Sequence, residues 1–259
     1  MLLIVFLLLF ILFRIIFCSQ NKNRLEKFFS PSLLSFLNQD ELFQLLISDK
    51  DNFFKTLYDY DLFARQIKTL EEYSGKIKVS VSIFSGNEKT KIKKCSEECD
   101  KYLTSLGTSF PGFDGVKASN IPWKFGKVSG RLYEYGLPHT RFDDLIILSE
   151  YTLTNNDQNL TRTLIHEKIH LYQKQYPDDT EVYMKHNNII KLKKREYNDY
   201  IRPNPDLDDW IYKNCKTGFV FKCEYNSKLP KNILDVKDRD QLNEHPFEKM
   251  AIDISNNYN

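Results

Sequence analysis

The stretch Thr163-Leu164-Ile165-His166-Glu167-Lys168-Ile169-His170-Leu171-Tyr172-Gln173 decides how this chain is read, because it carries His-Glu-x-x-His at His166, Glu167 and His170. Upstream, Asn156, Asp157 and Asn159 offer caps. Leu160, Leu164 and Leu171 recur at helical spacing and Pro177 stops the run, so the motif is predicted to sit in a helix of about four turns. Residues i and i+4 differ by only about 40° around a helix, so both imidazoles leave one face and their nitrogens can converge on one ion. Zinc suits two imidazoles. Glu167 lies about 100° round from His166, beside the ion rather than on it, where a carboxylate can take a proton from water. The competing structural reading is a surface helix with two solvated histidines.

A second pattern, Glu244-His245-Pro246-Phe247-Glu248-Lys249-Met250-Ala251, opens another helix, with Pro246 fitting its first position. Taken together, the two patterns resemble the gluzincin branch of zinc metallopeptidases. There the His-Glu-x-x-His helix is completed by a glutamate on a later helix, often followed three residues on by Ala, as Ala251 follows Glu248. The resemblance implies one Zn2+ per chain, held by His166, His170 and Glu248. Asp178, Asp179 and Glu181 are nearer in sequence, but they come directly after Pro177, which makes a return to the ion awkward. The order of elements is also similar to the zincin core, an α+β catalytic domain: strand and backing helix (76–106), strands, an edge strand (144–149), the active helix and the glutamate helix. In that family the edge strand pairs with extended substrate.

The implied activity is hydrolysis of peptide bonds in a peptide or protein substrate. The fourth zinc position is open to water, whose pKa the metal depresses to about 7. Glu167 is the general base and later returns the proton to the leaving amine. An additional oxyanion donor is expected, with His245 the first candidate and His139 and the tyrosines behind it; a helix-cap role for His245 and a loop position for His139 are the plainer readings. A zincin fold kept as an inactive binding or structural membrane protein is the alternative to a peptidase.

Outside these motifs, residues 1–17 are apolar except for Arg14 and read as a single transmembrane anchor, roughly 25 Å of helix. The charges Arg14, Lys22, Arg24 and Lys27 all lie at its C-terminal end or beyond, which places the catalytic domain on the cytosolic side. The sequon at Asn159 is then unused, and Asn159 belongs to a helix N-terminus. Residues 18–29 form a tether, 30–75 a small helical subdomain, and 76–259 the metallopeptidase domain. Ile77, Val79, Val81 and Ile83 alternate with polar residues and predict a strand. The helix after Ser85-Gly86 buries Ile92, Cys95, Cys99, Leu103 and Leu106 and stops at Gly107.

Residues 108–130 read as irregular, Leu145–Leu148 as a short strand, and Cys223 as a buried thiol in a strand with Phe219, Phe221 and Tyr225. The run Lys191-Leu192-Lys193-Lys194-Arg195 reads as a solvated helix face. Asn204 to Trp210 is either a loop near the site or a turn feeding a helix. With 37 basic against 35 acidic residues, the charge is too balanced to draw the chain onto nucleic acid. Five scattered cysteines do not make a disulfide framework.

Overall fold

The computed structural model describes residues 33–258. The expected anchor at 1–17 and the tether at 18–29 lie outside the described residues. Among the described residues no helix is long and apolar enough to cross a membrane. As far as the described residues go, this corrects the expected single-pass membrane protein. The two longest described helices, Gly86–Leu106 and Asp157–Gln175, carry polar and charged side chains throughout.

The protein is a mixed α+β structure. In chain order its elements are β1 (Leu34–Phe36), α1 (Gln39–Ile47), α2 (Asp59–Ala64), α3 (Leu70–Ser80), β2 (Val81–Ser82), α4 (Gly86–Leu106), α5 (Gly115–Ser119), β3 (Trp123–Val128), β4 (His139–Arg141) and β5 (Leu145–Ser149). They continue with α6 (Glu150–Leu153), α7 (Asp157–Gln175), α8 (Pro177–His186), β6 (Ile189–Lys194), β7 (Trp210–Asn214), β8 (Val220–Phe221), α9 (Gln241–Glu244) and α10 (Pro246–Ser255). The main sheet has the order β1-β3-β5-β4, with β2 also paired to β3. β1, β3 and β5 run parallel, whereas β4 lies antiparallel on β5 at the edge. A second sheet joins β6, β7 and β8.

Side-chain alternation along β3 and β5 feeds two cores. Trp123, Phe125, Ile146 and Leu148 meet α4, α7 and α10 on one face. Val128, Leu145 and Ile147 meet α1 and α3 on the other. α7 is further fixed from behind by Lys168, which is fully buried. Its ammonium donates to Ile121 O and sits 3.6 Å from the centroid of the Trp123 ring.

Several sequence expectations change here. The described part of the expected 30–75 subdomain, residues 33–75, is not set apart from the remainder of the described chain: β1 pairs with β3, and Leu33–Asn259 forms one compact unit. The alternation from Ile77 to Ile83 is mostly helical, since α3 runs to Ser80 and only Val81–Ser82 is strand. The reason is visible in the packing. Tyr73, Ile77 and Ser80, spaced four and three apart, face the core, while Val79 and Ile83 are 69% and 59% exposed. The helix start was written in Thr69, whose hydroxyl accepts from Glu72 N–H.

Residues 108–130 hold α5 and the central strand β3 rather than irregular chain. β5, expected at the edge, is flanked on both sides, and the edge strand is β4. The basic run lies in strand β6 instead of a helix, with its lysines exposed. Arg195 is the exception, buried against Asp61 Oδ2 at 2.8 Å.

α4 agrees with the sequence reading. A capping box between Ser85 and Glu88 starts it, Ile92, Cys95, Cys99 and Leu103 face the core, and Gly107 ends it at φ 52°.

Candidate metal centre

α7 begins at Asn156, whose side chain accepts from Asn159 N–H, and runs under the main sheet through Leu160, Leu164, Ile165 and Ile169. That anchoring points the opposite stripe, His166 and His170, toward α10. The two Nε2 atoms face each other at 3.0 Å. α10 opens at Pro246 and brings in Glu248, with Oε2 3.2 Å from His166 Nε2 and Oε1 3.6 Å from His170 Nε2. One ligand atom from each residue lies within 4.8 Å of the others. His170 and Glu248 are buried and His166 is partly open.

The surroundings fit a cation at this point. Glu167 Oε2 is buried without a hydrogen-bond partner, and Glu248 Oε2 has only the His166 ring nitrogen beside it, at 3.2 Å; buried carboxylate oxygens this poorly paired are costly unless something positive completes them. Burial opposes ionisation of Glu248, but His170 and His166 outweigh it and hold the carboxyl well below its ordinary value. Burial likewise opposes charge on His170, yet Glu248 and Asp206 raise it to about 10. The pocket thus attracts positive charge where the three side chains meet. Two imidazoles and one carboxylate form a donor set that could hold a metal ion.

A second layer holds these groups in place. His170 Nδ1–H donates to Gln173 Oε1 at 2.8 Å, which leaves Nε2 free for a metal. Gln173 in turn donates to Phe247 O at 3.0 Å, so α7 and α10 are tied beside the cluster. Asn204 Nδ2 donates to Glu248 Oε1 at 3.1 Å. Arg202 grips Glu244 through two bonds of 2.7 and 2.6 Å.

Glu167 is buried close by, and burial pushes its carboxyl well above the ordinary range, with the Asp206 carboxylate adding to the rise. The cluster opens onto a cavity of about 630 Å³ whose lining includes His166, Glu167, Glu248, Arg162, His139 and Asp206.

Of the residues singled out in the sequence, His166, His170, Glu167 and Glu248 come together. Asp178, Asp179 and Glu181 do not belong to the cluster. His245 is placed differently from the expectation of an oxyanion donor. Its Nδ1 accepts from Phe247 N–H at 3.2 Å, capping α10, and its Nε2 is 3.1 Å from Asp208 Oδ1, so neither ring nitrogen is left for a substrate. His139 does line the cavity, but Nδ1 bonds to Leu137 O at 2.9 Å and Nε2 faces Tyr133 OH at 3.4 Å. Burial lowers its pKa and keeps it neutral. No tyrosine lines the cavity among the described residues.

Gln173, Asn204, Asp206 and Arg202 were not assigned roles from sequence. Gln173, at i+3 from His170, was open to discovery on helical spacing alone. Asn204 and Asp206 announce only a turn, since Asp206 N–H donates to Asn204 Oδ1. Compared with known families, curated proteins and solved structures, the chain matches none of them.

Proposed function

We propose that this protein is a zinc-dependent metallopeptidase with a zincin-like catalytic core of the gluzincin type. The observation that carries the reading is the arrival of Glu248, from a separate helix, at the face where His166 and His170 converge. A chance His-Glu-x-x-His on a surface helix calls for no such partner, and it calls for no bare glutamate oxygen buried beside it. When bound, zinc supplies a Lewis acid that polarises a scissile carbonyl and acidifies water.

The residues divide the remaining work. His166, His170 and Glu248 hold the ion, Gln173 fixes the His170 ring, and Asn204 steadies Glu248. Glu167 receives the proton of the attacking water at a carboxylate oxygen and delivers it to the leaving amine.

Metal analysis of the purified full chain should give one zinc per chain, abolished by His166→Ala. Glu167→Gln should keep the metal and lower cleavage of a denatured protein by about 10²–10⁴-fold. Zinc that is retained by every one of these variants would remove the assignment of ligands. Stoichiometric zinc with no cleavage of any denatured protein would instead favour an inactive scaffold.

A further inference from the structure

Edge strand β4 contributes His139 to the cavity wall, so an extended peptide reaching the cluster would meet the outward main-chain groups of this strand. Those groups are already engaged. β4 pairs with β5 in the antiparallel register His139–Ile147, Thr140–Ile146 and Arg141–Leu145, and residues in such a ladder face alternately toward the partner and away from it.

Thr140 faces away. Its N–H donates to Asp206 Oδ1 at 2.5 Å and its hydroxyl donates to the same oxygen at 2.7 Å. Its carbonyl accepts from Lys174 Nζ at 3.3 Å, and that ammonium also donates to Thr140 Oγ1 at 2.8 Å and Pro205 O at 3.0 Å. On one side Pro138 has no N–H to give. On the other, Phe142 N–H donates to Asp51 Oδ2 at 3.2 Å. The outward N–H positions from 138 to 142 are therefore either missing or bonded.

The carboxylate of Asp206 stands where a substrate carbonyl would accept from Thr140, and the ammonium of Lys174 stands where a substrate N–H would donate. The segment carrying Asp206 is also moored to the metal cluster, since Asn204 donates to Glu248.

We infer that residues 203–206 form an intramolecular strap that occupies the substrate edge of β4 and must be displaced before the strand can hold a peptide main chain. The inference rests on the peptidase reading, and one comparison separates the two. Oxidised insulin B chain is titrated into the full-length Glu167→Gln protein and into Glu167→Gln/Asp206→Ala, both zinc-loaded, while hydrogen exchange is followed at the Thr140 amide.

The strap predicts Thr140 exchange at least ten-fold faster in the Asp206→Ala background, peptide binding at least ten-fold tighter, and renewed protection of Thr140 when peptide is bound. Equal or weaker binding, or tighter binding that leaves Thr140 unprotected, overturns it. Lys174→Met, which frees the same edge from the helix side, must shift binding in the same direction and guards against a folding defect in the first variant. Peptide that docks on the freed edge yet is never cut once Glu167 is restored defeats the peptidase reading and leaves the strap standing. Cleavage without any gain in binding does the reverse.

Discussion

Gln173 shows how much of this site depends on side chains that touch no ion. Its amide accepts from His170 and donates to Phe247 O, so it fixes both the tautomer of the His170 ring and the distance between two helices. Asn204 does the equivalent for Glu248. Outer partners of this kind are typically worth 10–100-fold in metal affinity. Gln173→Ala and Asn204→Ala should each weaken zinc binding by about that factor in competition against a chromogenic chelator, with the stoichiometry at saturation still one. His245 is the opposite lesson. Its cap on Phe247 N–H was legible beside Pro246 and holds, but the partner of its other ring nitrogen, Asp208, comes from a distant loop, and nothing local to Glu244-His245-Pro246 revealed that both nitrogens were engaged.

Among the elements, α4, α7 and α10 were legible because each carries its own start signal and a one-sided apolar pattern: Ser85 with Glu88, Asn156, and His245 before Pro246. α3 was misread because a helical face sampled at every second residue happened to look like a strand, and β3 was missed because Lys124, Gly126 and Lys127 interrupt the apolar pattern. The same close packing makes some glycines costly to replace. A Cβ on Gly115 would lie 1.9 Å from Leu103 O, a main-chain atom of α4 with little room to yield. Gly115→Ala should therefore destabilise the protein by about 1–3 kcal/mol, as overpacked sites do, seen as a lower urea midpoint with an unchanged slope.

At the scale of the whole molecule, the sheet is joined to its N-terminal helices by a buried ion pair that no local pattern announces. Arg141 on β4 is fully buried and is held by Asp51, with Nε–Oδ2 2.5 Å and Nη2–Oδ1 2.7 Å, and by Tyr133 OH at 3.0 Å. Burial alone would raise the Asp51 carboxyl, but bonds and charge from Arg141 outweigh it and the pKa is lowered. A carboxyl depressed in the folded state adds stability that is present above its unfolded value of about 3.9 and is lost as pH falls through the folded one. Asp51→Asn should accordingly cost about 3 kcal/mol at pH 7, since it leaves the buried guanidinium only the more distant carboxylate of Asp49, at 3.5 Å, as a charged partner. The gap to wild type should narrow in urea titrations below about pH 4. A gap that stays constant with pH would mean that the charge on Asp51 contributes nothing.

Phe247 O, which anchors Gln173, and Glu248, the proposed third ligand, ride on the same first turn of α10. Fraying of that single turn would withdraw a donor atom and slacken the His170 ring in one event. On the proposed reading, the lifetime of a captured ion would be bounded by the breathing of one helix end, so the off-rate of the metal would double as a clock for how often α10 lets go.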